Sequence, residues 1–180
     1  MHIIFFSYQN DKYLELFTIK AKYEEIGHYL NMIRINENEI AISGSQNMIQ
    51  FFKLNTRKLK EKIKLSKSIN CGIDNLLCML NNRCLCVGGA DKLTLIDVAN
   101  KIIMNEIFDM GIHRCLVKIN DNYLLTGKNN GEITQWKIFW NHLSLIGKKE
   151  KAHQKNINKI IIFNGTIASC SNDWLIKIWS

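Results

Sequence analysis

Residues 169–179 read SCSNDWLIKIW. The stretch joins a strand end of small residues, a short polar turn and a second strand that alternates apolar and polar residues up to Trp179. Asn and Asp favour tight turns because their side chains hydrogen-bond to nearby backbone groups. Alternation with a period of two is typical of a half-buried strand. The stretch therefore predicts a β-hairpin.

Four earlier stretches follow the same pattern, which makes the hairpin an internal repeat. They are SYQNDKYLELF at 7–17, SGSQNMIQFF at 43–52, VGGADKLTLI at 87–96 and TGKNNGEITQW at 126–136. The bulky closing residues are Phe17, Phe52, Ile96, Trp136 and Trp179, at intervals of roughly 35 to 44 residues. A repeat of about 40–45 residues built from short strands is typical of a β-propeller blade.

The flanking sequence completes a blade of four antiparallel strands. An apolar run and a short Asn- or Gly-containing turn precede the later hairpins, at residues 28–38, 75–82, 113–122 and 157–165. The polar connectors after the hairpins supply a fourth, outer strand, where lysines discourage edge-to-edge aggregation. We therefore expect an all-β fold: an incomplete propeller ring with three full blades and a partial blade at each end. An N-terminal helix near residues 13–29 on a smaller sheet is the competing architecture.

The repeats resemble those of the WD-repeat β-propellers over essentially the whole chain. The resemblance rests on Gly27-His28, His113 and His153 at the unit starts, on the Ser-Gly-Ser-like strand ends, on Asp11, Asp91 and Asp173 in the turns, and on Trp136 and Trp179. It implies one domain, 1–180, with repeats at approximately 1–26, 27–68, 69–111, 112–151 and 152–180. Members of that family usually close with about seven blades, so we expect a fragment of a larger propeller.

In that family a His, a strand Ser or Thr, a turn Asp and the closing Trp hold each blade together by hydrogen bonds. The resemblance assigns these roles to His153, Ser169, Asp173 and Trp179 in the last unit. The preceding unit has His113, Thr126, Asn130 and Trp136, with Asn130 in place of the acid. We expect a weaker network there.

No catalytic, metal or cofactor motif accompanies the repeats. Residues 87–90 (VGGA) are a strand end in register with the other units and do not form a phosphate-binding loop. Ser169, His153 and Asp173 imitate a hydrolase triad, but their repeat positions indicate a structural role. We predict a chain that is not an enzyme and that binds no metal or cofactor.

Loops on a rigid scaffold commonly carry binding. The resemblance places the turns between second and third strands, and the connectors into first strands, on one face. The candidate partner-binding residues there are Asn47, Met48, Asp91, Lys92, Asn129, Glu132 and Trp174. Trp174 stands out because exposed Trp is a frequent hot spot, although packing on a neighbouring connector is an open alternative. Trp140 is expected on the opposite face. The predicted function is a non-catalytic protein–protein interaction scaffold.

Charge offers a different prediction, because 24 Lys and Arg against 16 Asp and Glu give a net charge of +8. The basic clusters 57–67 and 148–155 form either a surface for RNA or acidic phospholipid or a solvated edge enriched by AT-rich codon usage. A truncated product with no independent function is a third possibility. No apolar run reaches the roughly 18 residues of a membrane helix, and no secretion signal is recognisable. We expect an intracellular chain, cytoplasmic or nuclear.

Overall fold

The computed structural model describes residues 2–9, 12–20, 29–45, 48–53, 58–64 and 76–179. Within these ranges the chain forms strands and turns and no helix, so the predicted all-β class is confirmed. In chain order the strands are β1 (His2–Gln9), β2 (Lys12–Lys20), β3 (Tyr29–Asn36), β4 (Glu39–Gly44), β5 (Met48–Lys53), β6 (Lys58–Lys64), β7 (Leu76–Met79), β8 (Cys84–Gly88), β9 (Ala90–Asp97), β10 (Ile102–Asn120), β11 (Tyr123–Lys128), β12 (Ile133–Ile138), β13 (Leu143–Lys149), β14 (Ile157–Phe163), β15 (Thr166–Ser171) and β16 (Ile176–Trp179).

The competing N-terminal helix is wrong where the structure describes it. Strand β2 occupies Lys12–Lys20 and pairs antiparallel with β1. Its Tyr, Phe, Thr and Ile residues favour extended backbone, because aromatic and β-branched side chains fit a pleated sheet better than a helix. Residues 21–28, including the expected repeat histidine His28, lie outside the described residues.

Within each sheet, every strand pairs antiparallel with its neighbour along the chain. The strands form four sheets: β1-β2, β3-β4-β5-β6, a seven-stranded sheet in the order β13 to β7, and β14-β15-β16. Strand order within each sheet follows chain order, because short turns join neighbouring strands. This is the meander that the repeated hairpins predict.

Strand β10 explains why one sheet has seven strands. It is 19 residues long. Residues 102–108 pair with β9, residues 113–120 pair with β11, and the register with β9 shifts between Phe108 and Ile112. Gly111, with a φ of 106°, lies in this break. One strand therefore serves as the outer strand of one blade and the inner strand of the next.

With β10 divided in this way, the architecture is a partial β-propeller. Three blades have four strands: β3 to β6, β7 to the first half of β10, and the second half of β10 to β13. The sheets β1-β2 and β14-β15-β16 precede and follow them in chain order, and the described strands do not close a ring. The predicted incomplete ring is confirmed.

Successive blades are held together by apolar side chains from facing sheets. Ala41 and Phe51 pack with Leu85 and Val87 at the first junction. Cys84, Cys86 and Leu93 pack with Leu124 and Trp136 at the second. Leu125 and Ile133 pack with Ile157 and Ile160 at the third. Each fully buried aliphatic or aromatic side chain contributes about 1.5–3 kcal/mol, so these junctions are the main source of stability.

Gly131 fixes how the last sheet joins its neighbour. Its φ is 82°, a conformation that glycine adopts without steric cost. A Cβ at this position would lie 1.9 Å from the carbonyl oxygen of His153, whose N–H donates to the Gly131 carbonyl at 3.0 Å. The connector into the last sheet therefore runs directly against the Gly131 turn, and no larger residue fits.

We predict that Gly131→Ala destabilises the fold much more than Gly165→Ala. Gly165 also has a positive φ, of 75°, but a Cβ there would meet nothing within 4 Å. Gly165→Ala should cost only the backbone strain, about 1 kcal/mol. Gly131→Ala should cost about 1–3 kcal/mol more because of the clash. Urea unfolding of both variants measures the difference, and equal costs would contradict the close approach.

Candidate functional site

The turn between β15 and β16 is closed by its own hydrogen bonds. The Trp174 N–H donates to the Ser171 carbonyl at 3.2 Å, and the Leu175 N–H donates to Asp173 Oδ1 at 3.0 Å. The Asp173 N–H donates to Ser171 Oγ at 3.1 Å. Trp174 adopts a φ of 69°, which is rare for a bulky residue. These hydrogen bonds fix the backbone conformation of the turn at Trp174.

A buried chain of hydrogen bonds lies beneath this turn. His153 Nδ1 is 2.9 Å from Asp173 Oδ2, and His153 Nε2 is 2.7 Å from Ser169 Oγ. Trp179 Nε1 donates to the same Ser169 oxygen at 2.9 Å. One arrangement satisfies every group: Nδ1–H donates to the carboxylate, Nε2 accepts from the hydroxyl, and the hydroxyl oxygen accepts from the indole. The structure brings together the four residues that the sequence grouped.

The Asp173 carboxylate is the central acceptor of this hydrogen-bond network. Burial by itself would raise the pKa of the Asp173 carboxyl, but hydrogen bonds from the Gln154 N–H, from His153 and from the Leu175 N–H outweigh it. They lower the pKa to about 2. The carboxylate therefore remains ionised over the whole physiological range and joins the connector at Gln154 to the turn at Leu175.

The corresponding set in the preceding blade is only partly assembled. Trp136 Nε1 donates to Thr126 Oγ1 at 3.3 Å. Neither ring nitrogen of buried His113 has a hydrogen-bond partner, and its nearest carboxylate oxygen, Asp109 Oδ2, is 3.7 Å away. Asn130 is exposed, and its Oδ1 accepts the N–H of Glu132 at 3.0 Å. The expected place of Asn130 beside His113 is wrong, because the Asn side chain caps its own turn.

A buried ionic cluster, which the sequence did not predict, lies beside His113. The Lys128 ammonium donates to Asp109 Oδ1 and Glu132 Oε1, each at 2.7 Å, and to the Met110 carbonyl at 3.1 Å. Thr134 Oγ1 donates to the same Glu132 oxygen at 2.9 Å. The available signal was Lys128 itself, which stands where Ser171 stands in the last repeat. A buried ammonium needs carboxylates around it.

Burial lowers the pKa of the His113 imidazole to about 4, and the nearby Asp109 carboxylate only partly opposes this effect. His113 is therefore neutral at physiological pH. The same ring position in the last blade is satisfied by Ser169 and Asp173. The equivalent histidines of the two blades therefore have different neighbours: hydrogen-bond partners in the last blade and a buried ionic cluster in the one before it.

The candidate partner-binding residues divide by exposure. Trp174 is 91% exposed. Asp91 is exposed, and its Oδ1 accepts the Gly111 N–H at 2.8 Å, while half-buried Asn129 accepts the Ile112 N–H at 3.2 Å. Met48 is half-buried at the start of β5. Asn47 lies outside the described residues.

The prediction that Lys92 and Glu132 lie on the partner-binding surface is wrong. Lys92 is 2% exposed, and its ammonium pairs with the Glu106 carboxylate. Glu132 is 9% exposed and belongs to the Lys128 cluster. Both side chains are turned toward neighbouring strands, where an ion pair replaces the water that each charge loses.

Met110 is a surface residue that the sequence did not single out. It is 87% exposed and lies in the break of β10. The hydrogen bonds of Gly111 to Asp91 and of Ile112 to Asn129 hold this connector between two turns. An apolar residue between Asp109 and Gly111, in a stretch that otherwise reads as a turn, was the available signal. We name the exposed residues Asp91, Met110 and Trp174 the turn face.

Trp140 lies away from these turns, in the turn between β12 and β13. It is 54% exposed, and the Arg83 guanidinium carbon lies 5.0 Å from its ring centroid. Phe139 and His142 stack beside it with centroids 4.3 Å apart. We name Phe139, Trp140, His142 and Arg83 the aromatic turn.

Among the residues that the structure describes, no group of three His, Cys, Asp or Glu side chains is placed to hold a metal ion. Likewise, none of the described segments is a helix with the length and apolarity needed to cross a membrane.

The chain resembles solved structures in fold but not in sequence. No protein-family model matches it, and no curated protein matches its sequence. A chain of the crystal structure of the mitotic checkpoint complex superposes with a TM-score of 0.77 at 12% identity, covering 95% of this chain and 53% of that one. The computationally designed Ika4 protein gives a TM-score of 0.68 at 13% identity, with 84% and 90% covered.

The computationally designed Ika8 protein gives a TM-score of 0.69 at 14% identity, covering 84% of this chain and 45% of that one. The chain thus spans about half the length of the checkpoint-complex chain and of Ika8. Identities this low establish the shared fold alone.

We predict that Asp173 makes the stability of the fold depend on pH in the acid range. Its pKa in the fold, about 2, lies below the ordinary value of 3.8. The stabilisation is therefore present above about pH 4 and is lost as the pH falls through 2. Asp173→Asn should lower the melting temperature at neutral pH and flatten its dependence between pH 4 and 2. Parallel melting curves for the two proteins in that window would contradict this role.

We predict a separate contribution from His113 at higher pH. Its pKa in the fold, about 4, lies below the ordinary value of 6.5. The unfolded chain therefore binds the proton first, and stability falls as the pH drops from about 6.5 toward 4. His113→Gln should flatten the dependence of stability on pH between 6.5 and 4 and leave unchanged the dependence below pH 4, to which Asp173 contributes. Urea unfolding at half-unit pH steps distinguishes the two, and an unchanged slope above pH 4 would contradict the prediction.

Proposed function

We propose that this chain is a non-catalytic protein–protein interaction scaffold of the WD-repeat type, and that the turn face contacts the partner. The observation that carries the proposal is Trp174, whose indole is 91% exposed on a turn fixed by hydrogen bonds. The exposed indole makes no favourable apolar contact in water, whereas a pocket on a partner protein would bury its large apolar surface. Trp is also among the residues that contribute most at protein interfaces.

The rigidity of the turn supports this use of Trp174. A turn whose backbone is already fixed loses little conformational entropy when a partner binds. The network of Asp173, His153, Ser169 and Trp179 provides that order from beneath. Its resemblance to the blade network of WD-repeat propellers motivates the family proposal, together with the repeat division at 1–26, 27–68, 69–111, 112–151 and 152–180.

The triad-like distances support a structural role better than a catalytic one. Ser169 is 1% exposed, and its Oγ accepts the Trp179 indole N–H. A nucleophilic hydroxyl must reach the substrate carbonyl, and this one is enclosed. His153 is likewise 1% exposed. We therefore propose a protein that binds a partner and catalyses no reaction.

Location and context complete the proposal. The free thiols of Cys78, Cys84, Cys86, Cys115 and Cys170 suit a reducing, intracellular compartment. The checkpoint-complex chain belongs, by its name, to a multi-protein assembly, which agrees with a scaffold role. Because this chain spans about half of that one, a piece of a larger propeller with no independent function is the competing proposal.

The aromatic turn favours a second candidate, RNA or another polyanion. Exposed rings beside cations provide stacking surfaces for bases, and the net charge is +8. Arg83 lies over Trp140, and the Lys137 ammonium lies 5.4 Å from the Phe139 ring centroid. The basic cluster 148–155 supports this candidate less, because Lys148 lies 3.8 Å from both Asp109 and Glu132. The side chains of 57–67 lie outside the described residues.

We predict that Trp174→Ala removes partner binding without unfolding the chain. The exposed indole contributes little to the core, so the melting temperature should change little. In quantitative affinity capture, proteins retained by the wild type should be lost with Trp174→Ala and kept with Trp140→Ala, the matched control in the aromatic turn. Identical capture by all three proteins would contradict the turn face. Loss with Trp140→Ala alone, with steep salt dependence, would favour the polyanion candidate.

A further inference from the structure

The basic cluster 148–155 leads into the last sheet and reads KKEKAHQK. Lys148 lies beside the buried ionic cluster, 3.8 Å from two of its carboxylates. Lys149, Lys151 and Lys155 are exposed, and none of them forms an ion pair with another residue that the structure describes. The ammonium groups of these exposed lysines are therefore available to groups of opposite charge.

The basic cluster lies against the turn that carries Trp174. The Gln154 N–H donates to Asp173 Oδ2 at 3.0 Å, and Ser171 Oγ donates to the Lys155 carbonyl at 3.0 Å. These two hydrogen bonds fix the backbone of Lys155 beside the turn. The exposed Lys155 side chain therefore adds a positive charge to the surface around the indole.

The carboxylate of Asp173 is enclosed and is not presented to a partner. Its side chain is 4% exposed, and it accepts hydrogen bonds from His153 and from the Gln154 N–H. Its charge is therefore used within the fold. Glu150 is the one exposed carboxylate of the basic cluster, and the exposed lysines outnumber it. The surface beside Trp174 thus offers more positive than negative charge.

The other end of the turn face carries the opposite charge. Asp91 is exposed there, and its Oδ1 accepts the Gly111 N–H at 2.8 Å. Residues 108–112, which form the connector at Met110, read FDMGI and contain no lysine or arginine. The turn face is therefore negative near Met110 and positive near Trp174. Such an asymmetry orients a partner, because complementary charges favour one alignment over the other.

We propose that the partner of the turn face is a protein segment with aspartate or glutamate residues beside an apolar residue. This inference rests on the proposed function. The apolar residue would cover the Trp174 indole, and the carboxylates would lie over Lys151 and Lys155. An apolar contact surrounded by a polar rim is the usual anatomy of a protein interface. The lysines at this rim would speed association and select acidic partners more than they would add affinity.

The remaining residues of the turn face favour an acidic protein over a nucleic acid. A nucleic acid carries a negative charge at every nucleotide, so its backbone would be repelled by the exposed Asp91 carboxylate. Met110 is 87% exposed and has no ring on which a base could stack. A protein segment can instead place its carboxylates at one end only and an apolar side chain on Met110, whose flexible thioether adapts to different partners.

The test selects phage-displayed random peptides on the intact chain and keeps those that Trp174→Ala no longer retains. We expect these peptides to combine acidic with apolar residues. One of them, labelled for fluorescence anisotropy, should bind about tenfold more weakly to the double variant Lys151→Glu and Lys155→Glu. The neutral double variant Lys151→Gln and Lys155→Gln should give a smaller loss. Lys137→Glu, the same charge change beside Phe139 in the aromatic turn, should leave binding unchanged.

The outcomes separate this inference from the proposed function. Selected peptides that are neutral or basic, or an acidic peptide that ignores the lysine variants, would overturn the acidic partner and leave Trp174 as a protein contact. A uridine oligonucleotide that binds more tightly than any peptide, and that Trp174→Ala releases, would overturn it in favour of a nucleic acid. A selection without any Trp174-dependent peptide would contradict the turn face itself. The exposed lysines are not part of the core, so all variants should melt like the wild type.

Discussion

The packing of apolar sheet faces between successive blades is the constraint on which the rest of this structure depends. Each sheet is too small to be stable alone, and burial of one face against the next supplies the missing free energy. Phe51, Cys86 and Leu125 each belong to such a junction. The same constraint explains why Ile176 and Ile178 are apolar, because the faces at equivalent positions of the other blades lie in junctions, although none of the described sheets covers these two residues.

Hydrogen bonds add to the stability that apolar packing provides, and the residues that form them differ between neighbouring blades. In the last sheet, Ser169, His153 and Asp173 link the connector to the turn. In the blade before it, Lys128 links Asp109 and Glu132, and the ring nitrogens of buried His113 have no hydrogen-bond partner. Both solutions hold a connector against a turn. Only the first supports a turn that carries an exposed Trp, and for this reason the candidate partner contact lies at the last turn.

The repeat made most of the fold and part of the site predictable. Five hairpins in phase indicated the sheets, and the resemblance of the last unit to a WD-repeat blade grouped His153, Ser169, Asp173 and Trp179 before any distance was known. Asn130, Lys92 and Glu132 were misplaced for one reason. Their roles depend on which side chain turns inward at a single position of a turn, and local pattern does not fix that. Met110 was missed because its exposure depends on the break in β10, where two blades share one strand.

The sequence by itself determined strand type, order and antiparallel pairing, because period-two alternation and turn residues act locally. Only the tertiary structure decided which charges are buried, because burial of Lys128 or Lys92 depends on carboxylates that neighbouring strands bring near. It also decided that Lys177 faces inward while Ile176 and Ile178 face outward. The sequence pattern gives the alternation, but the side that meets another blade follows from the stacking of whole sheets.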